Sequence, residues 1–186
     1  RSQFVTTYGP GSIIEGRNGP RVILALDVGL GRYFSQYLLK KFEILDIRMT
    51  HLVNGAGIFA LPSNAALKKN DNQYIYKTME FPVWRICSDR KFHNSSILYD
   101  GYNSNGYCPL CGNRSERGEP IRFIAACPDG HMDDIPWNFF IHGKGNKKCK
   151  GWFHWLGGGS SVKNIVIECP DCHKRISMGN IYSRKW

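Results

Sequence analysis

The sequence predicts an α+β fold: a small, β-rich domain stapled by zinc, with few short helices. Three observations predict it: the apolar segments are mostly of strand length, helical periodicity is short and local, and the second half carries paired cysteines. With 186 residues, 42% of them apolar, the chain is long enough to bury a core. We expect an N-terminal α/β part at residues 1–80 and a zinc-binding, β-rich part at residues 81–186, together one compact unit from a longer protein.

The N-terminal part is predicted to combine a tight turn with strands and one amphipathic helix. Gly9-Pro10-Gly11 indicates the turn, because glycine adopts backbone angles that other residues resist. The remaining elements are a buried strand at 21–26, a short helix at 33–42, a segment at 44–53 that fits strand and helix equally, a loop or weak helix at 62–72, and a strand at 74–79.

The second part is predicted to consist mainly of short strands. We expect them at 81–87, 121–127, 152–156 and 164–169, with the last two paired through a glycine-rich connection. Asp133-Asp134 shortly before Pro136 is typical of a helix start, with aspartate as the N-cap and proline in the first turn.

Two cysteine pairs have the spacing of zinc ligands, Cys108-Pro109-Leu110-Cys111 and Cys169-Pro170-Asp171-Cys172. In a chain without a secretion signal, cysteines are interpreted first as metal ligands, because reducing compartments disfavour disulfides. A C-x-x-C turn directs two thiolates at one tetrahedral ion, and a closed four-ligand shell makes that ion structural. The spacing therefore predicts one or two structural zinc ions.

The partition of ligands between ions stays open at this point. A single zinc joining both pairs would have to bridge a gap of 57 residues. In the two-ion arrangement, each pair is completed by a third cysteine and one further donor. The first set is then Cys87, His93, Cys108 and Cys111, and the second is Cys127, Cys149, Cys169 and Cys172, with His131 competing with Cys127. His142, His154 and His173 are further possible nitrogen donors.

Charge favours a polyanionic partner such as DNA. The chain has 25 basic and 15 acidic residues, a formal net charge of +10, and no acidic residue between positions 135 and 167. Lysines there would contact phosphates without reading sequence, and a tryptophan could stack on unpaired bases. The expected nucleic-acid-binding residues are Lys144, Lys147, Lys148, Lys150, Trp152 and Lys163.

Other functional classes are weaker candidates. Cys127, His131, Asp133 and Asp134 could serve a metal-dependent hydrolase or nuclease, although the helix start explains the carboxylates without catalysis. Residues 44–59 could instead make the chain a purely protein-binding scaffold. The chain has no phosphate-binding Gly-x-x-x-x-Gly-Lys-Ser/Thr motif, so ATP hydrolysis would belong to a partner. No apolar run reaches the roughly 20 residues that a membrane helix needs, and no membrane partner is expected.

Three segments carry a family resemblance: residues 1–12 (RSQFVTTYGPGS), 81–87 (FPVWRIC) and 126–137 (ACPDGHMDDIPW). In these segments, and in their order along the chain, the sequence resembles the N-terminal region of the DrmB family, subunits of the DISARM anti-phage defence system. One departure concerns the first zinc site. The family usually has a complete C-x-x-C after the Phe-Pro-x-Trp segment, whereas here Arg90 stands three residues after Cys87, so His93 would have to substitute.

The resemblance implies a prokaryotic, cytoplasmic protein that acts with a superfamily 2 helicase on foreign DNA. We therefore expect a structural zinc-binding, DNA-interacting module, not itself an enzyme, that works with a helicase subunit in defence or DNA processing. No small-molecule substrate is expected. The metal-dependent hydrolase and the protein-binding scaffold are the alternatives.

Overall fold

The chain folds into two compact units, residues 1–80 and 81–186. A computed structural model describes residues 4, 6–112, 118–143, 149 and 151–182. Short helices and antiparallel sheets make up the described part, so the predicted α+β class is confirmed. Across these residues, no helix combines the length and apolarity needed to cross a bilayer.

The first unit contains a three-stranded antiparallel sheet. Its strands are β1 (Ile13–Gly16), β2 (Gly19–Ile23) and β3 (Thr78–Glu80), in that spatial order. The Ser12 N–H donates to the Gly9 carbonyl at 3.0 Å, which closes the predicted Gly-Pro-Gly turn. The predicted strand at 21–26 overlaps β2 only at residues 21–23, and the one at 74–79 overlaps β3 only at its end.

Arg21 fastens β2 to β3. Its Nε donates to Thr78 Oγ1 at 2.7 Å, and its Nη2 donates to the Thr78 carbonyl at 2.7 Å. An ion pair of 3.4 Å joins Arg21 to Glu80. One guanidinium thus holds together strands that are more than 50 residues apart in sequence.

Three short helices complete the first unit: α1 (Leu26–Leu30), α2 (Gln36–Lys41) and α3 (Ile47–Leu52). The predicted helix at 33–42 is α2. Asp46 caps α3, because its Oδ1 accepts hydrogen bonds from the N–H groups of Arg48 and Met49 at 2.9 and 3.2 Å. The segment at 44–53, whose sequence pattern fits strand and helix equally, therefore contains a helix.

Large apolar side chains around α3 face solvent. Leu45 is 89% exposed, Ile47 80% and Leu52 78%. These three residues are called the α3 patch below. They lie within eight positions of the sequence, and exposed apolar side chains gathered in one short segment are a candidate protein-binding surface.

The second unit is built on a six-stranded antiparallel sheet. The strands are β4 (Trp84–Cys87), β5 (Ser96–Asp100), β6 (Glu119–Pro120), β9 (Phe153–Leu156), β10 (Val166–Glu168) and β11 (Arg175–Ser177). Their spatial order is β11-β10-β9-β5-β4-β6. The hairpin of β7 (Ile124–Ala126) and β8 (Met132–Asp134) is separate from it. The predicted pairing of the strands near 152–156 and 164–169 is confirmed, with Ile167 opposite Trp155.

The core of the second unit lies between this sheet and helices α4 (Trp137–His142) and α5 (Met178–Tyr182). Trp84 stacks on Phe153 with ring centres 6.0 Å apart. Trp137 is 1% exposed, so it fills the core and has no free face for a nucleic-acid base.

The predicted helix start at Asp133-Asp134 is wrong. Both residues lie in strand β8, and α4 begins three residues later at Trp137, with Pro136 at the N-cap position. Asp134 instead accepts hydrogen bonds from the Val83 N–H, at 3.1 and 3.2 Å to its two oxygens. The Asp134 carboxylate is therefore engaged by a residue distant in sequence, whereas the local sequence pattern predicted that it would cap a helix.

Candidate metal centres

The first cluster of metal-ligating side chains consists of Cys87, His93, Cys108 and Cys111. Cys87 ends β4, and its Sγ lies 3.7 Å from that of Cys111. The Nε2 of His93 lies 3.3 Å from the Cys87 Sγ and 3.9 Å from the Cys108 Sγ. The three thiols are at most 4% exposed. The structure thus brings together all four residues of the first predicted set.

A hydrogen bond orients the His93 ring for ligation. Its Nδ1 lies 2.6 Å from the Ser95 carbonyl oxygen. Because a carbonyl can only accept, Nδ1 carries the proton and Nε2 presents its lone pair to the thiols. Second-sphere bonds of this kind are typical of metal-bound histidines.

The second cluster consists of His142, Cys149, Cys169 and Cys172. His142 is the last residue of α4, and Cys169 directly follows β10. The hairpin of β10 and β11 that carries Cys169 and Cys172 is closed by an ion pair of 2.8 Å between Arg175 and Glu168. Both clusters belong to the second unit.

The two C-x-x-C turns share one backbone geometry. The residue after each second cysteine has a left-handed conformation, with φ of 59° at Gly112 and 56° at His173. In each turn its N–H donates to the carbonyl of the first cysteine, at 2.7 Å to Cys108 and 3.0 Å to Cys169. Two turns from separate segments therefore present their thiols in the same way, as zinc knuckles do.

The distances fit a tetrahedral zinc ion. With Zn–S near 2.3 Å and Zn–N near 2.0–2.1 Å, ligand atoms around one ion stand about 3.8 Å apart for two sulfurs and about 3.5 Å for sulfur and nitrogen. In the first cluster Cys87 to Cys111 is 3.7 Å, and Cys87 to His93 is 3.3 Å. In the second, all four ligand atoms lie within 4.8 Å of one another. Both Cys3His sets are compatible with zinc.

His142 supplies independent evidence for a metal. The side chain is buried, and neither ring nitrogen has a hydrogen-bond partner among the described residues. A buried polar atom without a partner costs roughly 1–3 kcal/mol. A metal ion held with Cys149, Cys169 and Cys172 would satisfy one of these nitrogens.

Burial keeps three of these six thiols protonated when no metal is bound. Removal from water raises the pKa of Cys108, raises that of Cys111 to about 12 and raises that of Cys149 to about 11. At Cys172 a hydrogen bond from the Lys174 N–H lowers the pKa. Metal binding must therefore displace protons, and the affinity of both clusters falls as the pH falls.

The expected second set contained Cys127, but the second cluster in the structure does not. His142 takes the fourth place there, and Cys127 lies in an exposed group with Asp129 and His131. The Cys127 Sγ is 3.3 Å from His131 Nδ1, and this hydrogen bond lowers the pKa of the thiol. The sequence offered His142 as a donor, but its position beside Cys169 depends on how α4 packs, which spacing does not encode.

Of the six residues expected to bind DNA, the structure describes only Trp152 and Lys163. Trp152 is half-buried, with its ring edge-on to His154 at 5.4 Å, and it packs against the core beside the first cluster. Lys163 is exposed on a 3-10 turn, Val162–Asn164. Lys144, Lys147, Lys148 and Lys150 lie outside the described residues.

The carboxylates of the alternative hydrolase site do not join Cys127 and His131. Asp129 supplies the acidic group of that cluster. Asp133 is exposed on β8, and Asp134 is engaged with Val83. The structure therefore leaves Cys127 and His131 together but places Asp133 and Asp134 outside their cluster.

The fold defines an α+β domain with two Cys3His clusters that could hold metal ions. Residues 1–186 match the family model described as "Domain of unknown function (DUF8724)", so the chain belongs to this family. The chain is also 32% identical to the DISARM protein DrmB of Bacillus paralicheniformis, over 73% of its own length. It is therefore a DrmB-related protein, and the predicted relationship is confirmed. The match spans 26% of that relative, which is consistent with an N-terminal region.

Proposed function

We propose that the chain is a non-enzymatic, zinc-stapled module of an anti-phage defence complex, which contacts DNA and docks on a helicase subunit in the cytoplasm. The observation that carries this proposal is the relationship to the DISARM protein DrmB. The chain covers about a quarter of that relative. It has no phosphate-binding Gly-x-x-x-x-Gly-Lys-Ser/Thr motif, so the proposal assigns any ATP-dependent step to a partner subunit. In this proposal zinc stabilises the folded state and takes no part in catalysis.

The position of the basic segment in the sequence supports DNA contact. Lys144, Lys147 and Lys148 lie between His142 and Cys149, two ligands of the second cluster. An ion in that cluster would fix both ends of the lysine-rich segment, which reduces the entropy lost on binding. We infer that zinc in the second cluster presents these lysines to phosphate groups.

The α3 patch supports the docking part of the proposal. Leu45, Ile47 and Leu52 are more than three-quarters exposed. An apolar surface of this kind suits another protein and not a phosphate backbone. The purely protein-binding scaffold therefore remains the second candidate function, and DNA binding distinguishes it from the first.

The deciding experiment measures binding of the zinc-loaded full chain to duplex, single-stranded and overhang DNA of one sequence at several salt concentrations. A DNA-binding module should lose affinity steeply with salt, at a logarithmic slope of roughly 0.9 per phosphate contact on duplex. Replacing Lys147, Lys148 and Lys150 by Ala should weaken binding at least tenfold and flatten the slope. The matched control replaces the exposed Lys40, Lys41 and Lys68 of the first unit, which removes the same charge.

Two outcomes would count against DNA contact. One is the absence of binding at low salt by protein with a full metal complement, which favours the scaffold. The other is an equal loss of affinity in both triple variants, which would mean that net charge alone attracts the DNA.

A further inference from the structure

The turn between β7 and β8 carries three different metal-ligating groups that belong to neither buried cluster. Cys127, Asp129 and His131 alternate along residues 127–131, and one ligand atom from each lies within 4.8 Å of the others. All three side chains are exposed. A thiolate, a carboxylate and an imidazole within five residues form a donor set of their own.

The backbone holds this turn in one conformation. The Cys127 N–H donates to the His131 carbonyl at 3.1 Å, and the Gly130 N–H donates to the Cys127 carbonyl at 3.0 Å. Gly130 has φ of 84°, a left-handed angle that favours glycine. Ala126 and Met132 pair directly outside the turn. The three side chains are therefore positioned by a closed hairpin and not by a free loop.

The separation of sulfur and nitrogen fits a shared ion. Cys127 Sγ lies 3.3 Å from His131 Nδ1, against about 3.5 Å for sulfur and nitrogen ligands on one tetrahedral zinc. The mixture of donors also selects the metal. Thiolate and imidazole favour zinc over Mg²⁺ and Ca²⁺, which prefer sites made of oxygen ligands only.

We propose that Cys127, Asp129 and His131 bind a third divalent ion of the zinc class, in an exposed site whose fourth position is taken by water. Three protein ligands with one open position distinguish it from the two closed Cys3His sets. The ion at the turn exchanges with solvent, whereas the ions in the buried clusters are retained. This inference does not depend on DNA binding or on a partner subunit.

The test counts zinc ions per folded full-length chain. Protein dialysed against excess free zinc should hold three ions, and brief exposure to a weak chelator should remove one. Cys127→Ser, Asp129→Asn and His131→Gln should each lower the total by one ion. Once the weak chelator has removed the labile ion, each variant should unfold at the same temperature as the wild type, because the side chains are exposed. The matched control is Asp133→Asn, an exposed carboxylate on the same hairpin outside the cluster, and it should keep three ions.

Cobalt provides a second readout of the same site. Co²⁺ loaded into the labile position should give a thiolate-to-metal charge-transfer band that disappears in Cys127→Ser and persists in Asp133→Asn. A saturated wild-type chain with only two ions would overturn the proposal. So would a third ion, or a charge-transfer band, that is unaffected by Cys127→Ser and His131→Gln.

Discussion

The Tyr99 hydroxyl group donates a hydrogen bond to the Gly106 carbonyl oxygen at 2.7 Å. The Tyr99 hydroxyl oxygen in turn accepts a hydrogen bond from the Gly118 N–H at 3.0 Å. These glycines precede and follow Cys108 and Cys111 in sequence, so one buried phenol on β5 holds both ends of the segment that carries the first cysteine pair. Burial raises the pKa of Tyr99 to about 12, and the hydroxyl therefore keeps its proton at neutral pH.

Replacing Tyr99 by Phe should destabilise the second unit. The Gly106 carbonyl and the Gly118 N–H would both lose their partner, and the expected loss is about 1–3 kcal/mol in the free energy of unfolding. Urea unfolding at saturating zinc measures it, and zinc loss from the first cluster should be faster. Tyr102→Phe is the control, since Tyr102 is 81% exposed and its replacement should change stability by less than about 0.5 kcal/mol. Equal stability of the two variants would contradict the role given to Tyr99.

Replacing His142 by Ala should remove one tightly held zinc ion and destabilise the second unit by several kcal/mol, because the zinc binding energy contributes to folding. In zinc-free protein the same change should have a much smaller effect, since it also removes two buried nitrogens that have no hydrogen-bond partner in the described part of the chain. Zinc content and thermal unfolding with and without metal measure both effects. His51→Ala is the control, because that side chain is exposed on α3 of the first unit. Retention of the full zinc complement by His142→Ala would show that His142 is not a ligand.

Asp134 should contribute to the pH dependence of stability. Burial raises its pKa, and the hydrogen bonds from the N–H groups of Val83 and Trp84 offset this only in part. The folded chain therefore binds more protons than the unfolded chain just above the ordinary aspartate pKa of about 3.9, and the contribution of this group to stability declines as the pH rises through that window.

Asp134→Asn should be at least as stable as the wild type at neutral pH. Asn keeps an oxygen that can accept the Val83 N–H and carries no charge that burial penalises. The variant should also lose its share of the pH dependence at acidic pH, which denaturant unfolding across pH 4–7 measures with Asp133→Asn as the exposed control. A loss above about 1 kcal/mol at neutral pH would mean that the charge itself stabilises the β4 contact.

Charge placed on the α3 patch should block docking without unfolding the first unit. Leu45→Asp combined with Leu52→Asp should leave stability nearly unchanged, because both side chains are already in water. Copurification with the proposed helicase subunit should fall at least tenfold, while DNA binding stays constant. Val28→Asp, at an exposed apolar position on α1, is the control. Full copurification of the double variant would place the docking surface elsewhere.

Local spacing was sufficient to predict the parts of this structure that depend on neighbouring residues. The two C-x-x-C turns and the strand pair of Trp155 and Ile167 follow from patterns only a few residues long. The fourth ligand of the second cluster depends instead on where α4 places His142, a tertiary property. Asp134 shows the same limit, since its acceptor role depends on Val83, 51 residues away.

The α3 segment illustrates a different limit. Its apolar residues fit a buried strand or a helix, and only the Asp46 cap makes it helical. Pattern reasoning also assumes that apolar residues are buried, whereas Leu45 and Ile47 are exposed. The sequence alone could not show whether Leu45 and Ile47 would be buried in the core or exposed on the surface.

The ligands of the two buried clusters do not interleave along the chain. Those of the first lie between residues 87 and 111, and those of the second lie between 142 and 172. During synthesis, all ligands of the first set leave the ribosome before any ligand of the second, so the first set can close around its ion first. Short loops also close at little entropic cost. The order of translation thus protects each set from capturing a cysteine that belongs to the other.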